Sequence, residues 1–281
     1  MWKIVRFTFK ALVGLFALIG LAVAGALCWI VTLFIWPDIT YLKIEPPKKT
    51  AFMEFRERQW KDLNKHLDMH YTWVPLAKIS PFAQDAVLIS EDDKFWQHYG
   101  FDLTGIQEAM EKNMRSGRLK AGGSTITQQL AKNLFLSPEK TATRKLKEAI
   151  LTLRLERELG KKRILELYLN VAEWGPGIFG IEEAAQRYYG KHASQLVPEE
   201  ACRLAAVLPN PIRFSPISDS RYLKNRANVI LKVMQKRDQG LSIWEDLAKD
   251  SSPEAELGIE ESPSIPTLPP EPDAGGSPPA P

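Results

Sequence analysis

Three consecutive acids, Glu91-Asp92-Asp93, follow an apolar run and open the stretch Glu91-Asp92-Asp93-Lys94-Phe95-Trp96-Gln97-His98-Tyr99-Gly100. Acids at the C-terminal end of a buried helix oppose the helix dipole, which favours cations there. A carboxylate pressed against apolar neighbours has a raised pKa and becomes a better base. The same acids would also suit a solvated helix end, and His98 an ordinary hydrogen-bonded histidine. A second segment runs Gly122-Gly123-Ser124-Thr125-Ile126-Thr127-Gln128-Gln129-Leu130-Ala131-Lys132-Asn133 and reads as a glycine loop feeding a helix. Free N–H groups at a helix start suit a phosphate or sugar oxygen. The Gly-Lys-Ser/Thr ending of a P-loop is missing. Gln128, Gln129 and Lys132 fall within about one helical turn, either as ligands or as the polar surface of a capped helix. A third segment, Arg144-Lys145-Leu146-Lys147-Glu148, puts Arg144 and Glu148 four apart on one helical face, as a site or as a surface salt bridge. The fourth, Lys161 to Asn170, reads mainly as an amphipathic packing helix.

The elements that must carry these residues are helices. Phe52–Leu67 is helix-like and Tyr71–Pro75 extended. Ser80-Pro81 supplies an N-cap followed by proline at the first helical position. Helical periodicity continues over 103–116, 124–135, 142–159, 161–171, 179–189, 198–208 and 219–239, with Thr141 or Thr143 capping the third of these runs. Pro198-Glu199-Glu200 places acids at a helix start, where the dipole favours them. Alternating runs of strand length are nearly absent. The expected body is mainly α, one domain over residues 75–249, reached through a linker and membrane-proximal region over 37–74.

The two ends differ from the body. From Ala11 to Trp36 there is no charged residue for 26 positions. As a helix this run is about 39 Å long, enough for a hydrocarbon core of about 30 Å. Lys3, Arg6 and Lys10 precede it, which puts residues 1–10 in the cytoplasm and everything after Trp36 outside. Ala24-Gly25-Ala26 resembles a signal cleavage site, but it lies inside the apolar run, and a signal core spans only about 7–15 residues. Residues 250–281 are rich in Pro, Glu and Ser, bury little, and read as a disordered acidic tail.

Composition narrows the partners. Two cysteines and four histidines make a structural zinc site or a disulfide scaffold a poor fit. The net charge is +3, yet seven of the 34 acids and none of the 37 bases lie after Lys249, so the rest of the chain carries +10. Such a body seeks an anion: nucleic acid, anionic lipid or phosphate.

Taken in order, the four segments resemble the family-51 peptidoglycan glycosyltransferases. The shared patterns are E-D-x-x-F-x-x-H-x-G at Glu91–Gly100, G-G-S-T-I-T-Q-Q at Gly122–Gln129, R-K-x-x-E at Arg144–Glu148 and I-L-E-x-Y-L-N at Ile164–Asn170. The likeness covers roughly residues 75–240. Ser137-Pro138-Glu139-Lys140 formally fits the S-x-x-K of a penicillin-binding transpeptidase, but no S-x-N or K-T-G follows. The chain therefore resembles the monofunctional, biosynthetic branch of the family.

The resemblance implies a lysozyme-like helical fold whose second lobe dips into the membrane of a bacterial cell, with the catalytic domain in the periplasm. The stretch Phe101–Ala121, with Met110, Met114 and Leu119, has the amphipathic composition of such a membrane-touching segment. The implied reaction joins lipid II to a growing glycan chain and releases polyprenyl pyrophosphate. By that likeness Glu91 is the general base and Glu148 the second essential glutamate, orienting basic residues or holding a divalent ion such as Mg2+ or Mn2+. Lys132, Lys140, Arg144 and Lys145 fall where the family binds pyrophosphate. Asp92, Phe95, His98, Gly123, Ser124, Thr125, Gln128 and Gln129 complete the expected substrate site. No organic cofactor and no nucleic acid are implied; membrane lipids and other wall-synthesis or division proteins are the implied partners.

A membrane-anchored muramidase or lytic transglycosylase is the competing expectation. Cleavage needs an acid to protonate the leaving oxygen, whereas the cluster Lys132–Lys145 suits a departing pyrophosphate. A non-catalytic scaffold would not need both glutamates. The anchor makes its own prediction: a reporter fused after Trp36 is active only outside the cytoplasm, and activity inside would overturn the topology.

Overall fold

A computed structural model describes residues 2–63, 69–116, 123–138 and 141–238. The apolar run forms the first helix, α1 (Trp2–Ile35), and its Leu12–Thr32 stretch is long and apolar enough to cross a membrane, with none of it buried in the rest of the chain. Nine further helices follow among the described residues: α2 (Ala51–Asp62), α3 (Pro81–Glu91), α4 (Leu103–Ser116), α5 (Ile126–Phe135), α6 (Ala142–Glu158), α7 (Lys161–Val171), α8 (Ile181–Tyr189), α9 (Pro198–Val207) and α10 (Arg221–Asp238). Three short strands, β1 (His70–Tyr71), β2 (Glu173–Gly175) and β3 (Ile178–Phe179), form a sheet in the order β1-β3-β2. β1 runs parallel to β3, with His70 opposite Ile178, and β2 runs antiparallel to it with an irregularity between Glu173 and Gly175.

The packing follows from the apolar spacing. α7 is buried along most of its length, at Ile164, Leu165, Leu167, Tyr168, Leu169, Asn170 and Val171. α5 packs against it and against α6, while α3 packs against α9 and α10. α10 presents Leu223, Ala227, Ile230 and Met234 to the core, a stripe at helical spacing. The Lys161–Asn170 motif is indeed a packing helix, with two polar groups that fix the preceding segment. Asn170 accepts from Val74 N at 2.9 Å and donates to Val74 O at 2.9 Å, and Glu166 accepts from Leu76 N at 2.8 Å.

Several local expectations change. Ser80 precedes α3 but does not cap it; its hydroxyl donates to Leu196 O at 2.8 Å, tying the helix start to the turn before α9. Helix α8 begins at Ile181 rather than 179, because Phe179 pairs in β3 and Gly180 takes φ +87° against the carbonyl of Asn170. Thr141, not Thr143, caps α6, accepting from Arg144 N at 3.2 Å. α4 exposes Leu103, Met110 and Met114, the composition expected of an interfacial segment. Leu119, Lys140, the end of the Phe52–Leu67 run and the acidic tail lie outside the described residues.

One glycine is dictated by packing. Gly100 sits at φ +82°, and a Cβ there would come within 2.7 Å of Thr152 Cγ2 and 3.1 Å of Glu156 Cγ on α6. Its carbonyl accepts from Thr125 Oγ1 at 2.7 Å. Gly100→Ala combines left-handed strain with a steric clash and is expected to cost on the order of 1–3 kcal/mol. Thermal denaturation checks it; an unchanged melting temperature would contradict this packing.

Candidate active site

Glu91 ends α3 with its side chain only 10% exposed. Three neighbours fix its carboxylate. Gln129 Nε2 on α5 donates to Oε2 at 3.0 Å, Ser90 Oγ lies 3.2 Å from Oε1, and Arg226 Nη2 on α10 stands 3.6 Å from Oε1. Gln129 is itself fixed, because Tyr168 OH on α7 donates to its Oε1 at 3.1 Å. Burial pushes the Glu91 carboxyl above the ordinary glutamate range, against the opposing pull of Gln129, Arg226, Ser90 and Lys132. This is a shielded carboxylate held in one orientation, the environment a general base needs.

Asp92 resolves the apparent cost of acids at a helix end. Its Oδ2 accepts from Ile126 N, the first residue of α5, at 2.9 Å, so a carboxylate unfavourable for α3 sits where α5 favours one. Its Oδ1 pairs with His98 Nε2 at 2.8 Å. Phe95 is fully buried beneath Lys161, whose Nζ lies 4.3 Å from the ring centre. Asp93 binds Arg237 on α10.

Three of the N–H groups at the start of α5 are already taken. Asp92 takes Ile126 N, Thr125 Oγ1 accepts from Gln128 N at 3.3 Å, and Gln128 Oε1 accepts from Thr125 N at 3.0 Å. This reciprocal capping box leaves none of those three donors for a ligand. Thr125, Gln128, Asp92, Phe95 and His98 are thus held by packing and by hydrogen bonds within the protein. Gly123 admits the close approach of Ile106 on α4, where a Cβ would meet its Cα at 3.1 Å. Ser124 is exposed at the loop and free to meet a ligand.

The second glutamate anchors a cationic cluster. Glu148 on α6 is 4% exposed, so the surface salt bridge is excluded. Arg144 Nη1 donates to its Oε2 at 2.5 Å, and Lys145 Nζ donates to its Oε1. Lys132 on α5 feels both Glu148 and Glu91, and its burial lowers its pKa from the ordinary lysine value. Arg144 Nε is buried with no hydrogen-bond partner. Lys140 belongs to this stretch of sequence but lies outside the described residues.

The donor set on Glu148 does not fit a resident divalent ion. Each of its oxygens already accepts from a cation, and among the described residues no group of three or more His, Cys, Asp or Glu side chains is gathered as ligands.

Sequence reasoning did not single out Arg226, Ser90 or Tyr168 as site residues. Tyr168 fell within a segment read as packing, and Arg226 lies 136 positions from Ser90, which it binds. No local spacing signals such a partner.

The raised Glu91 pKa has a thermodynamic consequence. Between the ordinary glutamate pKa and the raised folded value, the folded state holds more protons than the unfolded one, so stability falls as pH rises through that window. Glu91→Gln removes this term. The melting temperature of the variant relative to the parent is expected to be higher at pH 7.5 than at pH 4.5; a difference that shrinks as pH rises would refute the buried-carboxylate environment.

A family model described as transglycosylase matches residues 59–235, spanning α3 to most of α10. A relative from Laribacter hongkongensis called biosynthetic peptidoglycan transglycosylase is 46% identical over 215 residues, 76% of this chain and 94% of the relative. One of the same name from Azoarcus sp. is 48% identical over 209 residues, 74% and 87% of the two chains. Another of that name from Aromatoleum aromaticum is 50% identical over 186 residues, 66% and 79%. With the family model covering more than half of its length, and with its two buried glutamates standing within the matched region, the chain belongs to the transglycosylase family.

Proposed function

We infer that this chain polymerises lipid II into peptidoglycan glycan strands, releasing polyprenyl pyrophosphate. The observation that carries the reading is the pairing of a shielded, oriented carboxylate, Glu91, with a separate basic cluster of Arg144 and Lys145 on Glu148, and with Lys132 interacting with both glutamates.

The chemistry follows from those two halves. The 4-hydroxyl of the acceptor N-acetylglucosamine is a weak nucleophile, and Glu91 takes its proton as the oxygen attacks the anomeric carbon of the donor's muramyl sugar. Attack from the face opposite the α-linked pyrophosphate breaks the C1–O bond and inverts the centre to a β-1,4 linkage. The pyrophosphate leaves with the bonding electron pair, so it needs positive charge rather than a proton. Lys132, Arg144 and Lys145 supply that charge, and Arg144 suits a phosphate through its planar donors. The carboxylate of Glu148 keeps the cations gathered before substrate arrives.

The lytic alternative is not favoured. It would need no cationic cluster, and the named relatives are biosynthetic. The α1 span, preceded by Lys3, Arg6 and Lys10, supports a single-pass anchor in the inner membrane with the catalytic body in the periplasm. Exposed Met110 and Met114 on α4 support contact of that lobe with the bilayer that holds the lipid substrate.

Purified protein incubated with labelled lipid II is the direct test, and polymer digestible by muramidase is the expected product. Glu91→Gln should lower turnover by about 10² to 10⁴ with lipid II binding near that of the parent. Glu148→Gln should lower turnover and weaken binding of the pyrophosphate donor, because Arg144 and Lys145 lose the carboxylate that holds them. A Glu91→Gln protein polymerising at near the parental rate would falsify the mechanism.

A further inference from the structure

The general base is served by a side chain from the far end of the fold. α10 is docked independently at two places: its apolar stripe enters the core, and Arg237 binds both Asp85 and Asp93, reaching Asp85 Oδ1 at 3.1 Å. This docking delivers Arg226 to the C-terminal end of α3. There Arg226 Nη2 donates to Ser90 O at 3.3 Å and Ser90 Oγ at 2.9 Å, and stands 3.6 Å from Glu91 Oε1. Ser90 Oγ in turn lies within hydrogen-bond distance of both Glu91 Oε1 and the carbonyl of Ala205 on α9. The guanidinium thus touches the backbone, the hydroxyl and the neighbourhood of the base at once.

We propose that Arg226 is a positioning residue for Glu91, clamping the last turn of α3 through Ser90 and setting a fixed positive charge beside the carboxylate that is separate from the pyrophosphate cluster. The proposal rests on Glu91 being the general base. Its chemical logic is a division of cations. Lys132 interacts with both Glu91 and Glu148, so a pyrophosphate arriving at the cluster draws on the charge that Lys132 offers Glu91. Arg226 pairs with neither Glu148 nor the cluster, and its charge at Glu91 persists when substrate is bound. An arginine suits this task because it stays protonated and its planar fork can hold several acceptors. The groups facing Glu91 from packed elements are Lys132 and Gln129 on α5, Tyr168 on α7 and Arg226 on α10; α9 contributes the carbonyl of Ala205 through Ser90.

The test is the pH profile of kcat/KM for lipid II polymerisation by the full-length, detergent-solubilised protein. A general base must be deprotonated, so activity falls on the acidic side through its pKa. Removing a nearby cation raises that pKa and moves the acidic limb upward. Arg226→Gln is expected to move the limb up by about one pH unit, with a large loss at pH 6 that narrows to a few-fold at pH 9. A purely structural role would lower the rate by the same factor at every pH, and that outcome, or an unchanged profile, overturns the proposal. Should Arg226→Gln fail to fold, Arg226→Lys carries the test. It keeps the charge but loses the fork, so the limb stays in place while kcat falls several-fold; a parental kcat would overturn the clamp. Parent protein that makes no polymer takes down both this proposal and the functional reading, whereas active parent with an unmoved Arg226→Gln limb takes down this proposal alone.

Discussion

The carboxylate of Asp92 is the joint on which the site depends. Its side chain is 2% exposed, and its two oxygens bind Ile126 N and His98 Nε2. The first bond fixes the end of α3 against the start of α5, and the second folds the Phe95–Gly100 segment back over both. Thr125 closes the arrangement by capping α5 while donating to the carbonyl of Gly100. Burial raises the Asp92 pKa, and His98 and the Ile126 amide oppose that rise. Because Glu91 precedes Asp92 directly and Gln129 follows Ile126 by three positions, this joint also sets the 3.0 Å contact between Gln129 and Glu91. A slip of one residue at the end of α3 would turn Glu91 away from α5 by about 100°, and one at the start of α5 would turn Gln129 away by the same angle.

From that joint the helices distribute charge. α5 carries Gln129 to Glu91 and Lys132 towards Glu148; α6 carries Glu148 with Arg144 and Lys145. The far end of α6 meets the anchor. Arg154 Nη2 donates to Ile35 O at 3.2 Å and Pro37 O at 2.7 Å, and Lys147 Nζ lies 5.9 Å from the centre of the Trp29 ring. The six residues from Glu148 to Arg154 span about 9 Å of helix. The basic cluster is thus tied by one rigid element to the end of the apolar helix. In the functional reading, that geometry keeps a pyrophosphate site at a set height above the lipid that delivers its substrate.

Periodicity and capping chemistry made most of the helices legible from sequence. The apolar run became α1, Pro198-Glu199-Glu200 opened α9, and Thr141 capped α6. Two of the departures have remote partners as their cause. Ser80 looked like a cap and instead binds Leu196 O, 116 positions away. The α5 start looked open to an anion, yet its N–H group at Ile126 is filled by Asp92 from 34 positions upstream. Motif resemblance named Glu91, Gln129 and Glu148 as site residues without showing which side chains are held by bonds within the protein. Gln129, Asp92 and Thr125 show why that distinction needs coordinates: each is polar, each belongs to a motif, and each spends hydrogen bonds on the protein itself.

The two glutamates show how environment divides labour between identical side chains. Among the described residues Glu91 has one cation within 4 Å, at 3.6 Å, and neutral donors from Gln129 and Ser90, so burial dominates and its proton affinity rises. Glu148 has a guanidinium and an ammonium bonded directly to its two oxygens. In the functional reading, a base must take up a proton during turnover, which the first environment permits; a carboxylate with both oxygens bonded to cations has the geometry of their counter-charge. Exchanging the environments would disable both roles: Glu91 would lose basicity beneath direct ion pairs, and the cations would repel one another without a buried anion to gather them. The contrast follows from which helix carries which cation: α6 brings both partners of Glu148 on its own turns, whereas Glu91 depends on the Asp92 joint that sets α3 against α5 and on Arg226 from α10.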